Sequence, residues 1–134
     1  MINEKNISVI VPAYNEELLI KKTIDSVPNE VDKIIIINDA STDNTKKIVE
    51  NELINNKKLV LINHKKNSGV GAALISGYEK SIELKSDITV VMPGDAQALP
   101  GDFYNLVEPV INNQADYSKG NRLNHKDVKK IMPK

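Results

Sequence analysis

Four isoleucines in succession, Ile34-Ile35-Ile36-Ile37, constrain this chain more than any other feature. Side chains of a strand alternate between its two faces, so an unbroken β-branched run is buried only where both faces of the sheet are covered. The strand at residues 33–37 therefore belongs inside a sheet layered between helices. Three further short apolar runs, at residues 7–11, 59–62 and 88–92, alternate with longer amphipathic stretches. That alternation gives the order β-α-β-α-β-α-β-α of an α/β chain with a mostly parallel central sheet and helices on both faces.

Punctuation residues place the boundaries. Pro12, which cannot donate a ladder hydrogen bond, is expected to end the first strand, and Asn15 to cap the first helix with Glu16 and Glu17 in its first turn. Leu18, Leu19, Ile20 and Ile24 then form that helix's buried side, and Pro28 closes it. The cluster Asn38-Asp39-Ala40-Ser41-Thr42-Asp43 precedes a second helix reaching about residue 55, with Ile48, Val49, Leu53 and Ile54 as its apolar positions. Asn67-Ser68-Gly69-Val70-Gly71 opens a third helix that runs to about residue 84. Pro93 and Gly94 break the fourth strand, a fourth helix is expected over residues 101–111, and residues 116–119 read as the start of another strand.

With 134 residues, the chain has the length of one domain. Its 18 basic and 18 acidic residues cancel, which removes the global attraction behind nonspecific nucleic-acid binding. No stretch approaches the roughly 20 apolar residues of a membrane helix. The absence of cysteine excludes disulfides, thiolate zinc sites and thiol nucleophiles, and the polar opening Met1-Ile2-Asn3-Glu4-Lys5 is no signal peptide. These features together fit the cytoplasm. Residues 124–134 carry little apolar content and several basic side chains, and read as a basic tail or as the start of a further region.

In an open parallel sheet, ligands bind at the carboxyl ends of the strands near a change in strand order. Tyr14, Asn15 and Glu16 follow the first strand, Asp39, Ser41 and Asp43 the second, and Asp95 and Gln97 the fourth, so all are expected at one edge. Asn15, Ser41 and Asp43 also suit simple capping. Asp39 stands apart: it ends a buried strand, where an ionised carboxylate must find donors or a ligand. Asp95 and Gln97, two residues apart after a Pro-Gly bend, have two readings. They could offer oxygen ligands to a hard divalent ion also held by substrate phosphates, or they could organise a turn. Gly69 and Gly71 permit close approach of a backbone or phosphate to a helix N-terminus, but Leu74 occupies the third glycine position of a dinucleotide fingerprint, and no Walker-type phosphate loop is present. His64 and His125 are isolated and read as surface residues. Asn6-Ile7-Ser8, a formal glycosylation sequon, enters a core strand and is discarded.

Five segments occur in a familiar order: Val11-Pro12-Ala13-Tyr14-Asn15-Glu16, Asn38-Asp39-Ala40-Ser41-Thr42-Asp43-Asn44-Thr45, Asn67-Ser68-Gly69-Val70-Gly71-Ala72-Ala73, Gly94-Asp95-Ala96-Gln97, and Ala115-Asp116-Tyr117-Ser118-Lys119-Gly120-Asn121-Arg122. Across residues 7–123 the chain resembles family-two glycosyltransferases, nearest to the dolichol-phosphate mannosyltransferase-like and polyprenyl-phosphate glycosyltransferase group. The resemblance implies a Rossmann-like GT-A fold, in truncated form, whose nucleotide-sugar-binding part covers residues 1–123. It also implies a UDP- or GDP-linked sugar donor, a Mg2+ or Mn2+ cofactor, and a lipid-phosphate acceptor at the cytoplasmic face of a membrane, with membrane contact only through that acceptor or through segments outside this sequence.

By position, Pro12, Ala13, Tyr14 and Glu16 resemble the loop that holds the nucleoside, and Asp39 the aspartate that binds the base. Gly69, Gly94 and Ala96 fall in the segments that border the donor. Asp95 and Gln97 match the second and third members of a D-x-D-x-Q metal and diphosphate motif, which makes Asp95 the expected catalytic residue. Arg122 matches a basic residue that faces the diphosphate or acceptor phosphate. Pro93 stands where the family has the first aspartate, so the metal would rest on Asp95, Gln97, water and the donor phosphates. The implied reaction is inverting transfer of a sugar to a polyprenyl phosphate. A non-catalytic nucleotide-sugar-binding module is the competing expectation, a nucleotidyltransferase a weaker one. The acceptor half lies beyond residue 134 in this reading, so the chain alone is expected to be inactive. The apolar edge of a half-domain would favour a homo-oligomer.

Overall fold

A computed structural model of the chain describes residues 5–92. Seven elements alternate in it: β1 (Ile7–Ala13), α1 (Ile20–Ser26), β2 (Lys33–Asn38), α2 (Thr45–Asn55), β3 (Leu59–Asn63), α3 (Gly69–Glu83) and β4 (Ile88–Val91). All strand pairs are parallel, in the order β3-β2-β1-β4. The sheet therefore grows outward from β1 to β3 and then resumes on the other side of β1, which puts the reversal of strand order between β1 and β4.

The isoleucine run is buried on both faces, as its composition requires. Ile34 and Ile36 pack with Val9, Val11, Ile20, Ile24 and Val49 under α1 and α2. Ile35 and Ile37 pack with Ile10, Ala73 and Val91 under α3. Fully burying a side chain of this size contributes on the order of 1.5–3 kcal/mol, which makes β2 the strongest anchor of the fold. On the opposite layer α3 comes so close to β1 that a Cβ on Gly77 would lie 2.5 Å from Ile10 Cγ2.

Several expectations are corrected. Pro12 does not end β1: it pairs in register with Ile37, and the strand continues to Ala13. Residues of a parallel strand direct their backbone groups alternately to either neighbour. The Ile10 carbonyl accepts from Met92 and the Ala13 carbonyl from Asp39, so the missing N–H of Pro12 points to the β4 side. Pairing with β4 stops at Ile10 and Val91 among the described residues.

Asn15 does not cap α1. It adopts φ 54°, and the helix starts only at Ile20, after a turn in which the Glu16 carbonyl accepts from the Leu19 and Ile20 amides. Leu18, left in that turn, is 89% exposed, and Leu19 is also exposed; Ile20, Thr23 and Ile24 form the buried face instead. Ile54 is 77% exposed at the last turn of α2, while Val49 is buried and Ile48 and Leu53 pack against the core. The expected fourth helix, the further strand and the basic tail lie outside the described residues.

Candidate functional site

The loops leaving β1 and β2 lie side by side at the carboxyl end of the sheet and exchange hydrogen bonds. Asn15, in its left-handed conformation, turns its side-chain carbonyl onto the neighbouring loop, accepting from the Thr42 amide at 2.8 Å and the Asp43 amide at 3.3 Å. In return, Ser41 Oγ accepts from the Asn15 amide at 3.0 Å and Thr45 Oγ1 from the Glu16 amide at 2.8 Å. The Glu17 carboxylate accepts from the Asn44 amide at 3.0 Å, and Asp43 Oδ2 from the Glu17 amide at 3.2 Å. Asp43 Oδ1 also accepts from the Thr45 amide at 2.9 Å and the Thr45 hydroxyl at 2.5 Å, capping the start of α2. Burial works to raise the Asp43 pKa, but these donors outweigh it and hold the carboxyl below its ordinary range.

Asp39 sits one residue past β2 and is 4% exposed. Its carboxylate finds three donors. Oδ1 accepts from the Ser68 amide at 2.9 Å and from His64 Nδ1 at 2.8 Å, and Oδ2 accepts from the Gly69 amide at 2.9 Å. Two of the donors are the unpaired N–H groups that open α3, so the residue just past β2 caps a helix some thirty positions later in the chain. Burial pushes the Asp39 carboxyl up, yet the Ser68, His64 and Gly69 hydrogen bonds prevail and keep it ionised below the usual carboxylate range. Asn67 Nδ2 reaches the Asp39 carbonyl at 3.3 Å.

These contacts revise two expectations. The first amides of α3 are not bare donors waiting for a phosphate, because Asp39 already engages those of Ser68 and Gly69. Gly69 itself, at φ +94°, provides the left-handed turn that aims them. His64 is not a surface residue: it is half-buried, with Nδ1 on Asp39 and Nε2 on Ser76 Oγ at 2.8 Å. The sequence reading set His64 aside as a surface residue and did not single out Ser76. The available signal was positional, since His64 directly follows β3 and so shares the edge where Asp39 lies.

Pro12, Ala13, Tyr14, Glu16 and Asp39 line one cleft of about 240 Å³, closed on its far side by Val70 and Ala73 of α3. The structure thus brings together five of the expected nucleoside-binding residues beside the reversal of strand order, and Gly69 is tied to one of them through its amide bond to Asp39. Gly94, Asp95, Ala96, Gln97 and Arg122 lie outside the described residues. Among the described residues no cluster of three His, Asp or Glu side chains is placed to hold a metal ion. Nor is any helix there long and apolar enough to cross a membrane.

A doubly wound parallel sheet with a cleft at its carboxyl edge is an arrangement in which α/β proteins bind their ligands. Solved structures share the fold. The chain superposes on glucosyl-3-phosphoglycerate synthase from Mycobacterium tuberculosis, solved with Mn2+, UDP and glucosyl-3-phosphoglycerate, with a TM-score of 0.64 and 26% identity over 81% of this chain and 40% of that one. It superposes on the mannosyltransferase PcManGT from Pyrobaculum calidifontis, solved with GDP-mannose and Mn2+, with a TM-score of 0.67 and 24% identity over 81% of this chain and 33% of that one. The architecture is that of the GT-A fold. The profile of glycosyl transferase family 2 matches residues 8–134, and the chain belongs to that family.

Among curated relatives, UDP-N-acetylglucosamine–dolichyl-phosphate N-acetylglucosaminyltransferase of Methanococcus voltae is 38% identical, over 97% of this chain and 57% of its own length. Dolichyl-phosphate beta-glucosyltransferase ALG5A of Trichomonas vaginalis is 32% identical, over 78% of this chain and 35% of its own length. The chain thus spans about half the length of the first of these relatives, and less of the second.

Proposed function

We propose that the chain forms the donor-binding part of an inverting glycosyltransferase that moves a sugar from a UDP- or GDP-linked donor to a polyprenyl phosphate. The observation that carries this reading is the cleft itself. Pro12, Ala13 and Tyr14 offer an apolar wall to a base and ribose, and Asp39 supplies an ionised acceptor beside that wall, at the edge where α/β sheets hold nucleotides. The names of the relatives support a lipid-phosphate acceptor, and the solved neighbours support a nucleotide-sugar donor with a divalent cation.

The ligands of such a cation are assigned, from the motif resemblance, to Asp95 and Gln97, whose carboxylate and amide oxygens suit Mg2+ or Mn2+. Bound there, the cation would supply positive charge against the diphosphate leaving group. Arg122 is assigned to the same phosphates. An acceptor phosphate is already ionised near neutral pH, so its oxygen can attack the anomeric carbon from the face opposite the diphosphate without a general base. Such an enzyme would work at the cytoplasmic face of a membrane, where its lipid acceptor lies.

Thermal unfolding with UDP-, GDP- and dTDP-sugars, with and without manganese or magnesium, tests the proposal. Stabilisation by a sugar nucleotide that grows with the metal and disappears in Asp95→Ala is the expected result; no stabilisation by any donor contradicts it. A second reading, a binding module without transfer, is favoured by Pro93 in place of an acidic residue. It would show donor binding in the full-length protein without release of nucleoside diphosphate in the presence of a polyprenyl phosphate.

A further inference from the structure

The Asp39 carboxylate is nearly full. An ionised carboxylate offers about four acceptor positions, two on each oxygen. Oδ1 already accepts from the Ser68 amide and His64 Nδ1, whereas Oδ2 accepts from the Gly69 amide alone. One position remains, on Oδ2, and Asp39 lines the cleft.

His64 decides that count. The two backbone donors open α3 and are fixed by the helix; the third donor on this carboxylate is a side chain. The His64 amide donates to the Asn38 carbonyl at 2.9 Å, which pins the backbone beside β2. The ring is held at both nitrogens, by Asp39 on β2's exit and by Ser76 within α3. An ionised carboxylate requires a donor at Nδ1, so in the neutral ring Nε2 accepts from the Ser76 hydroxyl. The ring is thereby locked in the orientation that closes Oδ1.

We propose that His64, anchored on Ser76, is a positioning residue that leaves Asp39 a single open acceptor and so selects a uracil-type base, with one ring N–H at its pairing edge, over guanine or cytosine. This inference rests on the nucleotide-sugar reading of the cleft. Guanine presents two adjacent donors, N1–H and N2–H, and satisfying both calls for two open carboxylate positions. Cytosine presents an unprotonated N3, an acceptor facing an acceptor. A desolvated polar group left unpaired is penalised heavily, which is how such sites discriminate.

Calorimetric titration of the full chain with UDP, GDP and CDP, each with manganese, reads the selectivity directly. The unsubstituted protein is expected to favour UDP over GDP by about tenfold or more, the factor that one well-made hydrogen bond can supply. His64→Ala opens Oδ1 and is expected to shrink that ratio severalfold. His64→Asn, whose Nδ2 can reproduce the Nδ1 donor, is expected to restore it, and Ser76→Ala to shrink it less. A purely structural role for His64 would weaken UDP and GDP equally. An unchanged UDP-to-GDP ratio in both His64→Ala and Ser76→Ala, or a protein that favours GDP from the outset, overturns the inference while leaving the nucleotide reading intact. Failure of the unsubstituted protein to bind any of the three nucleotides overturns that reading and the inference with it. Should His64→Ala fail to fold, the Ser76→Ala and His64→Asn ratios decide alone.

Discussion

An aspartate that gives up its water must be hydrogen-bonded again, and Asp39 does so with two helix-opening amides and a histidine. The same carboxylate therefore holds the fold and faces the cleft. Asp39→Asn keeps the shape but presents an NH2 to one of those donors, so it is expected to lose about 1–3 kcal/mol of stability in urea unfolding. A loss below about 0.5 kcal/mol would show that α3 does not depend on this cap. The carboxyls of Asp39 and Asp43 both titrate below their ordinary range in the fold. Their contribution is complete above the unfolded-state pKa and is lost as pH falls through the lowered folded values. Stability is thus expected to hold steady from about pH 7 to 5 and to drop below about pH 4. The drop should be shallower in Asp39→Asn; an identical acid profile for the two proteins would remove Asp39 from the acid transition.

Between elements, an exchange of hydrogen bonds ties the β1 and β2 exit loops together beside the cleft. Glu17 and Asp43 each accept a backbone amide from the other's loop, which makes them a coupled pair. A double-mutant cycle of Glu17→Ala and Asp43→Ala is expected to show coupling of about 0.5–2 kcal/mol; strict additivity would mean that the loops are fixed independently. Gly77 governs the other side, where α3 meets Ile10. An added methyl would improve helix propensity by up to about 1 kcal/mol, but Ile10 is fully buried and its Cγ2 has nowhere to retreat. Gly77→Ala is therefore expected to destabilise by about 1 kcal/mol or more on balance, and a stabilised variant would contradict the tight β1–α3 contact. The isoleucine run made the two-sided burial of β2 legible, and turn residues located most exits. Asn15 was misread because a cap and an αL clamp use the same side-chain oxygen, and only the partner loop distinguishes them. The burial of His64 was hidden for a similar reason: its partners come from β2 and α3, and no sequence spacing encodes that meeting.

At the scale of the whole molecule, the reversal of strand order beside β1 explains why residues distant in sequence share one ledge. Strand polarity and element order were enough to foresee that Glu16 and Asp39 would converge, because every parallel strand delivers its exit loop to the same edge. How closely α3 would seal that edge was not, since it depends on a trans-acting cap. A nucleoside is expected to occupy the cleft between the β1 exit and α3, with its base at Asp39. Amide chemical-shift mapping during titration with UDP tests this most directly. The resonances of Ala13, Tyr14, Asp39, Val70 and Ala73 are expected to move together and saturate, while those of Asp32, Asn56 and Asp87 at the opposite end of the sheet stay in place. Saturable shifts confined to that opposite end, or none at all, would contradict it.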